Sequence, residues 1–316
     1  MKILANDGIS QSGIDDLTAA GFEVLTTTVA QEQLENFINA ENIVALLVRS
    51  ATTVRQDLID ACPGLKIIGR GGVGMDNIDV EYAREKGLSV INTPAASSES
   101  VAELVFAHLF SGVRFLYDSN KTMPLEGESK FKNLKKAYAK GTELRGKTLG
   151  VIGFGRIGQA TAKMALGLGM KVIAFDPFLE KTTLSLSFYD GQTVDFEIKT
   201  VSKEAVLKES DFITLHVPAH KDFVIGKPEF DLMKDGAALV NAARGGVVNE
   251  VALVEALDSN KLSFAGLDTF ENEPSPAVQI LMNPKISLTP HIGAATNQAQ
   301  DRIGSELASQ IISILK

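Results

Sequence analysis

The sequence predicts an α/β protein built on two doubly wound parallel sheets. Three observations carry that reading. Short runs rich in Val, Ile and Leu alternate with amphipathic stretches along the whole chain, and continuous apolar strands separated by helices describe parallel sheets covered on both faces. The alternation breaks at a lysine-rich stretch, Tyr117 to Gly146, and restarts at Leu149. At 316 residues, the chain has the length of two domains of roughly 150 residues each.

The first block holds apolar runs at Ile3 to Ala5, Phe22 to Val29, Ile43 to Val48, Leu65 to Gly69 and Leu88 to Asn92. Between them lie the amphipathic segments Ile14 to Ala20, Gln31 to Asn39, Arg55 to Ala61 and Val80 to Lys86. Gly21, Gly64 and Gly87 stand at the helix ends, where a left-handed residue is expected. Five β/α units by Asn92 make a domain of flavodoxin-like size. A helix follows from Glu99 to Arg114, with Val101, Leu104, Val105, His108 and Leu109 at three- and four-residue spacing and Ser97 or Ser98 as N-cap. The stretch to Gly146 has weak periodicity and reads as a crossover, an exposed arm or an oligomer contact.

The second block places strands at Leu149 to Gly153, Lys171 to Asp176, Phe212 to Val217, Ala238 to Ala242, Phe264 to Leu267 and Ile286 to Thr289. A last amphipathic helix, Thr296 to Leu315, is positioned to return to the first block. The expected division is therefore discontinuous. Residues 1–95 with 292–316 form a flavodoxin-like substrate domain, and 96–291 form a Rossmann-type nucleotide domain inserted into it.

Composition narrows the function. With 45% hydrophobic and 22% charged residues the chain is globular rather than disordered. A net charge of −8, from 31 basic and 39 acidic residues, argues against nucleic acid and acidic membrane surfaces as partners. An anionic ligand would have to be held by a few placed cations. No uncharged apolar run approaches the ~18 residues of a membrane span, and Met1-Lys-Ile-Leu enters a strand without a signal-peptide pattern, so a cytoplasmic location is expected. A single cysteine, Cys62, excludes a disulfide framework. No His, Cys and carboxylate cluster has ligand spacing, and no metal is expected.

The chemistry is concentrated in the second block. Leu149-Gly-Val-Ile-Gly153-Phe-Gly155-Arg156-Ile157-Gly158 is an apolar strand running into G-x-G-x-x-G and then a helical stretch. Gly153 permits a tight turn, Gly155 lets the backbone approach a pyrophosphate, and Gly158 lets helix and strand pack closely, with helix N–H groups facing the phosphates. Asp176 ends the next strand, 18 residues beyond Gly158, where a carboxylate can accept hydrogen bonds from an adenosine ribose. It would repel a 2′-phosphate, and Pro177-Phe-Leu179 offers no arginine. NAD is therefore the expected cofactor.

Further on, Arg244 follows one strand, Asp268 to Glu273 another, and His291 a third. Strand carboxyl ends line the ligand crevice of an open α/β sheet. An arginine there is a planar fork for a carboxylate, and an acid near an imidazole is an acid–base pair. Of the four histidines, His108 lies on an apolar helix face and His220 in a polar loop. His216, at a strand end, is the rival base, as Glu271 is the rival to Glu273. Arg49 and Arg70, at first-block strand ends, are the best cations for a phosphate on the substrate; Lys132, Lys135 and Lys136 form a further basic run.

The motifs G-F-G-R-I-G, N-A-A-R-G-G-V-V, L-D-T-F-E-N-E-P and T-P-H-I-G-A-A-T, in this order, resemble the D-isomer-specific 2-hydroxyacid dehydrogenase family over essentially the whole chain. Val48-Arg-Ser-Ala-Thr52, Gly69-Arg70 with Gly74-Met-Asp-Asn77, Asn92-Thr-Pro94 and Gly141-Thr-Glu-Leu144 are similar to its phosphoglycerate dehydrogenase branch. That resemblance implies NAD-dependent oxidation of 3-phosphoglycerate in serine biosynthesis, in a short form lacking C-terminal regulatory domains and their feedback by serine. Glyoxylate, hydroxypyruvate or D-lactate-type reduction is the alternative, and an NAD(H)-sensing corepressor-like scaffold a more distant one. It implies His291 as general acid–base, Glu273 as the group orienting its ring, and Arg244 as the carboxylate-binding, carbonyl-polarising residue. Arg49, Ser50, Arg70 and the backbone of Val73 and Gly74 would bind the anionic 2-hydroxy or 2-keto acid. Val73 stands where some relatives carry threonine, so a hydroxyl contact is lost. Val217, Pro218, Ala242, Asp268, Gly293 and Ala294 would join the glycine loop in holding NAD. A homodimer or homotetramer is the family-level expectation.

Overall fold

The computed structural model describes residues 1–316. It divides into one unit of Met1–Ser100 with Ala294–Lys316 and a second of Val101–Gly293. In the first unit the order is β1 (Lys2–Ala5), α1 (Gln11–Ala19), β2 (Glu23–Leu25), α2 (Leu34–Glu41), β3 (Ile43–Val48), α3 (Gln56–Ala61), β4 (Ile67–Arg70), α4 (Val80–Glu85) and β5 (Ser89–Asn92). The strands form one parallel sheet in the order β2-β1-β3-β4-β5, the flavodoxin-like arrangement whose order reverses between β1 and β3.

Both faces of this sheet are buried, which explains its unbroken apolar strands. Ile3, Ala5, Ala45, Leu47 and Ile67 pack beneath Leu17 of α1 and beneath Ala308 and Ile311 of the closing helix, Asn297–Leu315. Leu4, Leu46, Val48 and Ile68 pack on the other side against Leu34 and Ile38 of α2, Leu58 and Ile59 of α3, and Ala83 of α4. Thr296 caps the closing helix by accepting the Ala299 N–H at 3.2 Å.

The second unit continues with α5 (Ser98–Val113), which starts at the end of the first, then α6 (Leu116–Ala137), β6 (Thr148–Ile152), α7 (Arg156–Gly167), β7 (Lys171–Phe175), β8 (Lys181–Ser187), β9 (Thr193–Lys199) and α8 (Lys203–Glu209). It is completed by β10 (Phe212–Leu215), α9 (Lys227–Leu232), β11 (Ala237–Asn241), α10 (Glu250–Asp258), β12 (Leu262–Leu267), α11 (Val278–Leu281) and β13 (Ile286–Leu288). Six strands make a parallel, Rossmann-type sheet in the order β13-β12-β11-β10-β6-β7. One face carries Ile152, Ile213, Leu215, Leu239 and Leu267 against Leu207 of α8, Phe230 of α9 and Leu253 of α10. The other carries Leu149, Val151, Phe212, Val240 and Phe264 against Val105 and Leu109 of α5 and Ala162 and Ala165 of α7. No helix of the molecule is long and apolar enough to cross a membrane.

Three local expectations are corrected. The stretch after Tyr117 is largely helical: α6 runs to Ala137, includes Pro124 and is interrupted at Lys130 (φ −121°, ψ 20°). None of its residues is buried, so no apolar stripe was imposed on its sequence. Between β7 and α8 stands an antiparallel hairpin, β8 with β9, that no strand assignment anticipated. Its turn is closed by Phe188 N–H to Gln192 O at 2.8 Å, with Gly191 at φ 85°, and Leu184 plants it in the core beside α7. Thirdly, Gly21 and Gly87 are left-handed (φ 86° and 84°), but Gly64 is not; α3 ends through Cys62 at φ −119° instead.

Strands β7, β10, β11 and β13 also stop earlier than their apolar runs. Asp176, Val217, Ala242 and Thr289 thereby fall in the loops at the carboxyl edge, where the candidate site residues gather.

Candidate active site

The sheet order of the second unit reverses between β6 and β10, and the glycine loop lies there. Gly153 has φ 90°, and a Cβ on it would lie 2.3 Å from His216 O at the end of β10. Only glycine can make this turn and this approach. A Cβ on Gly158 would lie 2.2 Å from Gly153 O, so α7 is held hard against the loop. Gly155 differs: a Cβ there would meet nothing within 4 Å, and it opens α7 without a side-chain cap. The start of α7 is thus uncapped and has open space beside Gly155, as an anion site requires.

Asp176 is tied to this loop. Its Oδ2 accepts Phe154 N–H at 2.8 Å and its Oδ1 accepts Phe178 N–H at 2.9 Å; each oxygen keeps a further lone pair. Arg156 is exposed, Ile157 packs into the core, Val217 leans on Gly153, and Pro218 is exposed. His216 stands behind the loop. Its Nε2 meets Thr214 Oγ1 at 3.1 Å, its Nδ1 is buried without a partner, and burial pushes its pKa down to about 3. A ring held neutral to that depth does not cycle a proton near neutral pH.

A second cluster forms on the loops after β11, β12 and β13. Asn241 staples the first of these: its amide donates to Arg244 O at 2.9 Å and its Oδ1 accepts Ala243 N–H at 3.1 Å. Arg244 is half-buried, with Nη1 donating to Ala243 O at 2.7 Å. Next to it, a Cβ on Gly245 would sit 1.8 Å from Phe270 O, so the loops after β11 and β12 lie in direct contact. Glu273 Oε2 meets His291 Nδ1 at 2.8 Å, while Oε1 accepts Phe270 N–H at 3.0 Å. Glu271 turns away: its Oε1 accepts Glu250 N–H at 2.7 Å and its own N–H donates to Glu250 Oε1 at 2.8 Å. Desolvation, aided by the nearby Glu271 charge, raises the pKa of buried Glu250. Of the two acids, Glu273 is the one that touches the imidazole.

His291 itself has φ 55° and its side chain is 47% exposed. With Nδ1 on a carboxylate, Nε2 is the nitrogen left to give or take a proton. A cavity of about 440 Å³ adjoins it, lined by Phe270, Glu273, Pro274, Leu281, Leu288 and His291 among others. Asp268 is 1% exposed. Its carboxylate accepts Thr289 Oγ1–H at 2.6 Å, Ile292 N–H at 2.8 Å and Gly293 N–H at 2.8 Å, and so it holds the histidine loop from within.

In the first unit, Arg49 and Arg70 stand at the carboxyl ends of neighbouring strands, β3 and β4, with Val48 paired to Arg70. Asp7 pins the Arg49–Thr52 loop across the point where the strand order reverses, its Oδ2 accepting Arg49 N–H at 2.6 Å and Thr52 N–H at 3.1 Å. The amide of Asn77 holds the same loop through Arg49 O at 2.8 Å and Thr52 O at 2.6 Å. Ser50 is exposed. The Arg70 guanidinium lies across Gly72, and Val73 O, beside Gly74, accepts the Asn92 amide at 2.8 Å. Ala294 O accepts the Gln300 amide at 2.8 Å. Lys132, Lys135 and Lys136 are exposed on α6.

Residues 106–293 match the family model described as the NAD-binding domain of D-isomer-specific 2-hydroxyacid dehydrogenases. The chain belongs to that family. The dehydrogenase is 44% identical over 299 residues to the hydroxypyruvate reductase of Thermotoga maritima, covering 93% of this chain and 91% of that protein. It is 41% identical over 319 residues to the D-3-phosphoglycerate dehydrogenase of Methanocaldococcus jannaschii, covering all of this chain but 58% of that relative. Among solved structures, the TT0316 protein of Thermus thermophilus superposes with a TM-score of 0.81 at 31% identity, covering 100% of this chain and 97% of the other.

NAD is the dehydrogenase's cofactor, and the glycine loop fits it. The open space at Gly155, the uncapped start of α7 and the acid at the end of β7 are the features a dinucleotide needs. Sequence reasoning did not single out Asn241, Thr289, Asp7 or Glu250. All are polar residues at or near strand and helix ends; Asn241, Asp7 and Glu250 hold functional loops through backbone groups, and Thr289 acts through the Asp268 carboxylate. Their only signal in the sequence is a polar residue closing an apolar run, which many loops share.

Proposed function

We propose that the dehydrogenase oxidises 3-phosphoglycerate to 3-phosphohydroxypyruvate, and that His291, Glu273 and Arg244 carry the reaction. The observation that supports this most is the 2.8 Å His291–Glu273 pair on strand-end loops of the unit that holds the glycine motif. Glu273 fixes the orientation of the ring through Nδ1 and leaves Nε2 toward the substrate. His291 Nε2 takes the proton of the substrate C2 hydroxyl as that carbon becomes a carbonyl. Arg244 binds the carboxylate and polarises the same oxygen, where charge changes during the reaction. NAD, when bound, accepts the hydride from C2. Arg49, Ser50, Arg70, Val73 and Gly74 bind the anionic groups of the substrate, and the two arginines supply the phosphate site that a chain of net charge −8 must build locally.

A second reading is reduction of unphosphorylated hydroxypyruvate, favoured by the similarity to the Thermotoga reductase over 91% of its length. The two substrates differ by the phosphate alone, so one comparison separates the readings. With NADH, kcat/KM for 3-phosphohydroxypyruvate should exceed that for hydroxypyruvate. Arg49→Ala should remove most of the difference, about 1.5–3 kcal/mol for a hydrogen bond to a charged group, or roughly 10–150-fold. Equal efficiency on both substrates, with Arg49→Ala affecting neither or both alike, assigns the enzyme to hydroxypyruvate.

A further inference from the structure

Behind the histidine loop runs a buried polar chain that the proposed chemistry leaves unused. His108, on the core-facing side of α5, is 2% exposed. Its Nδ1 lies 2.9 Å from Ser287 Oγ and its Nε2 lies 3.0 Å from Thr289 Oγ1. Thr289 Oγ1 is 2.6 Å from Asp268 Oδ1, and Asp268 receives the N–H groups of Ile292 and Gly293. The ring has been given room: a Cβ on Gly266 would lie 2.6 Å from His108 Cβ. The chain therefore crosses the second unit from α5 to the residues directly after His291.

The direction of every hydrogen bond in it can be worked out. Asp268 meets only donors, two of them backbone N–H groups that cannot reverse, so it acts as a carboxylate acceptor. Thr289 has a single hydroxyl proton and gives it to Asp268. The same oxygen can then only accept from His108, so Nε2 carries the ring proton. Nδ1 is left as the acceptor and takes the Ser287 hydroxyl proton. Burial lowers the His108 pKa, against a weaker opposing pull from Asp268, in keeping with a neutral ring.

We propose that His108, as the neutral Nε2–H tautomer, is a positioning residue for His291. It orients the Thr289 hydroxyl toward Asp268, and Asp268 then holds Ile292 and Gly293 so that His291 keeps its left-handed backbone, φ 55°. A non-glycine residue in that conformation is strained, and its neighbours must supply the restraint. The functional half of this inference rests on His291 being the acid–base; the tautomer does not.

Two measurements test it. Ring ¹⁵N NMR of the wild-type protein at pH 7 should show His108 protonated at Nε2 and bare at Nδ1. An Nδ1–H or doubly protonated His108 overturns the proposal without reference to activity. In steady-state assays His108→Leu should lower kcat about 10-fold while the KM for NADH stays within 2-fold, since the glycine loop is untouched, and His108→Gln, which keeps a donor, should recover most of kcat. Wild-type kcat in a folded His108→Leu, or a loss that His108→Gln does not recover, also overturns it. Full turnover by His291→Asn would instead sink the catalytic reading of His291 and leave the tautomer result standing.

Discussion

Gly153 and Gly155 sit two residues apart in one motif, yet the structure assigns them opposite kinds of indispensability. Alanine at 153 must adopt φ 90°, at about 1–2 kcal/mol for an L-residue in left-handed space, and its Cβ would come within 2.3 Å of His216 O. Backbone carbonyls yield poorly, so overpacking adds about 1–3 kcal/mol. The sum, about 2–5 kcal/mol, should lower Tm by roughly 4–20 °C at 2–4 °C per kcal/mol for a unit of this size. Alanine at 155 meets nothing within 4 Å, at φ −72°. It forfeits only the small preference for glycine over alanine at an N-cap, less than about 1 kcal/mol. Its methyl group would instead occupy the space a pyrophosphate needs, and NADH affinity should fall at least 10-fold, about 1.4 kcal/mol. The assay is thermal unfolding of both variants without cofactor, followed by NADH titration at a temperature where both are folded. Wild-type NADH affinity in Gly155→Ala, or equal destabilisation of the two variants, would refute the reasoning.

Two further outcomes follow from the site. Glu273→Gln should lower kcat by 10-fold or more with little change in Tm, whereas Glu271→Gln should leave kcat within 2-fold and cost stability through its exchange with Glu250; steady-state kinetics and unfolding curves on both variants decide, and the reverse pattern would exchange their roles. Stability should also fall on acidification. Burial lowers the pKa of His108 and brings that of His216 to about 3, while an unfolded histidine titrates near 6.5. Between these values the unfolded chain binds protons that the folded chain refuses, so stability drops as pH falls from about 6.5, by up to about 1.4 kcal/mol per pH unit for each ring. Urea unfolding at pH 7, 6 and 5 measures the slope, and His216→Gln should reduce it; an unchanged slope contradicts the burial argument.

Legibility in the sequence depended on whether a segment is buried within this chain. The central strands of both sheets were readable because they are covered on two faces and so carry an unbroken apolar run, as Ile43 to Val48 does. Helix α6 was not readable as a helix, because none of its residues is fully buried and no apolar stripe marks its period. The β8–β9 hairpin does alternate, with Thr182, Leu184 and Leu186 on one face and Asp190-Gly191 in its turn. Its exposed alternate residues leave it without the unbroken apolar run that marks the sheet strands. Gly64 shows the same limit on a smaller scale: a glycine after a helix is not always its left-handed end.

For the site, residue types and their order are legible in the sequence. A glycine-rich turn, an acid at the next strand end, and Arg, Glu and His past later strands are constrained by chemistry, which acts on residue type and position along the chain. The choice of Glu273 over Glu271 at the imidazole, the neutral burial of His216, the coverage of Asp268 by three donors and the His108 chain behind it depend on which groups meet across loops distant in sequence. Those meetings are set by side-chain direction at distances near 3 Å. Spacing along a sequence names the residues a strand delivers to its carboxyl edge, but only packing determines which way each one turns.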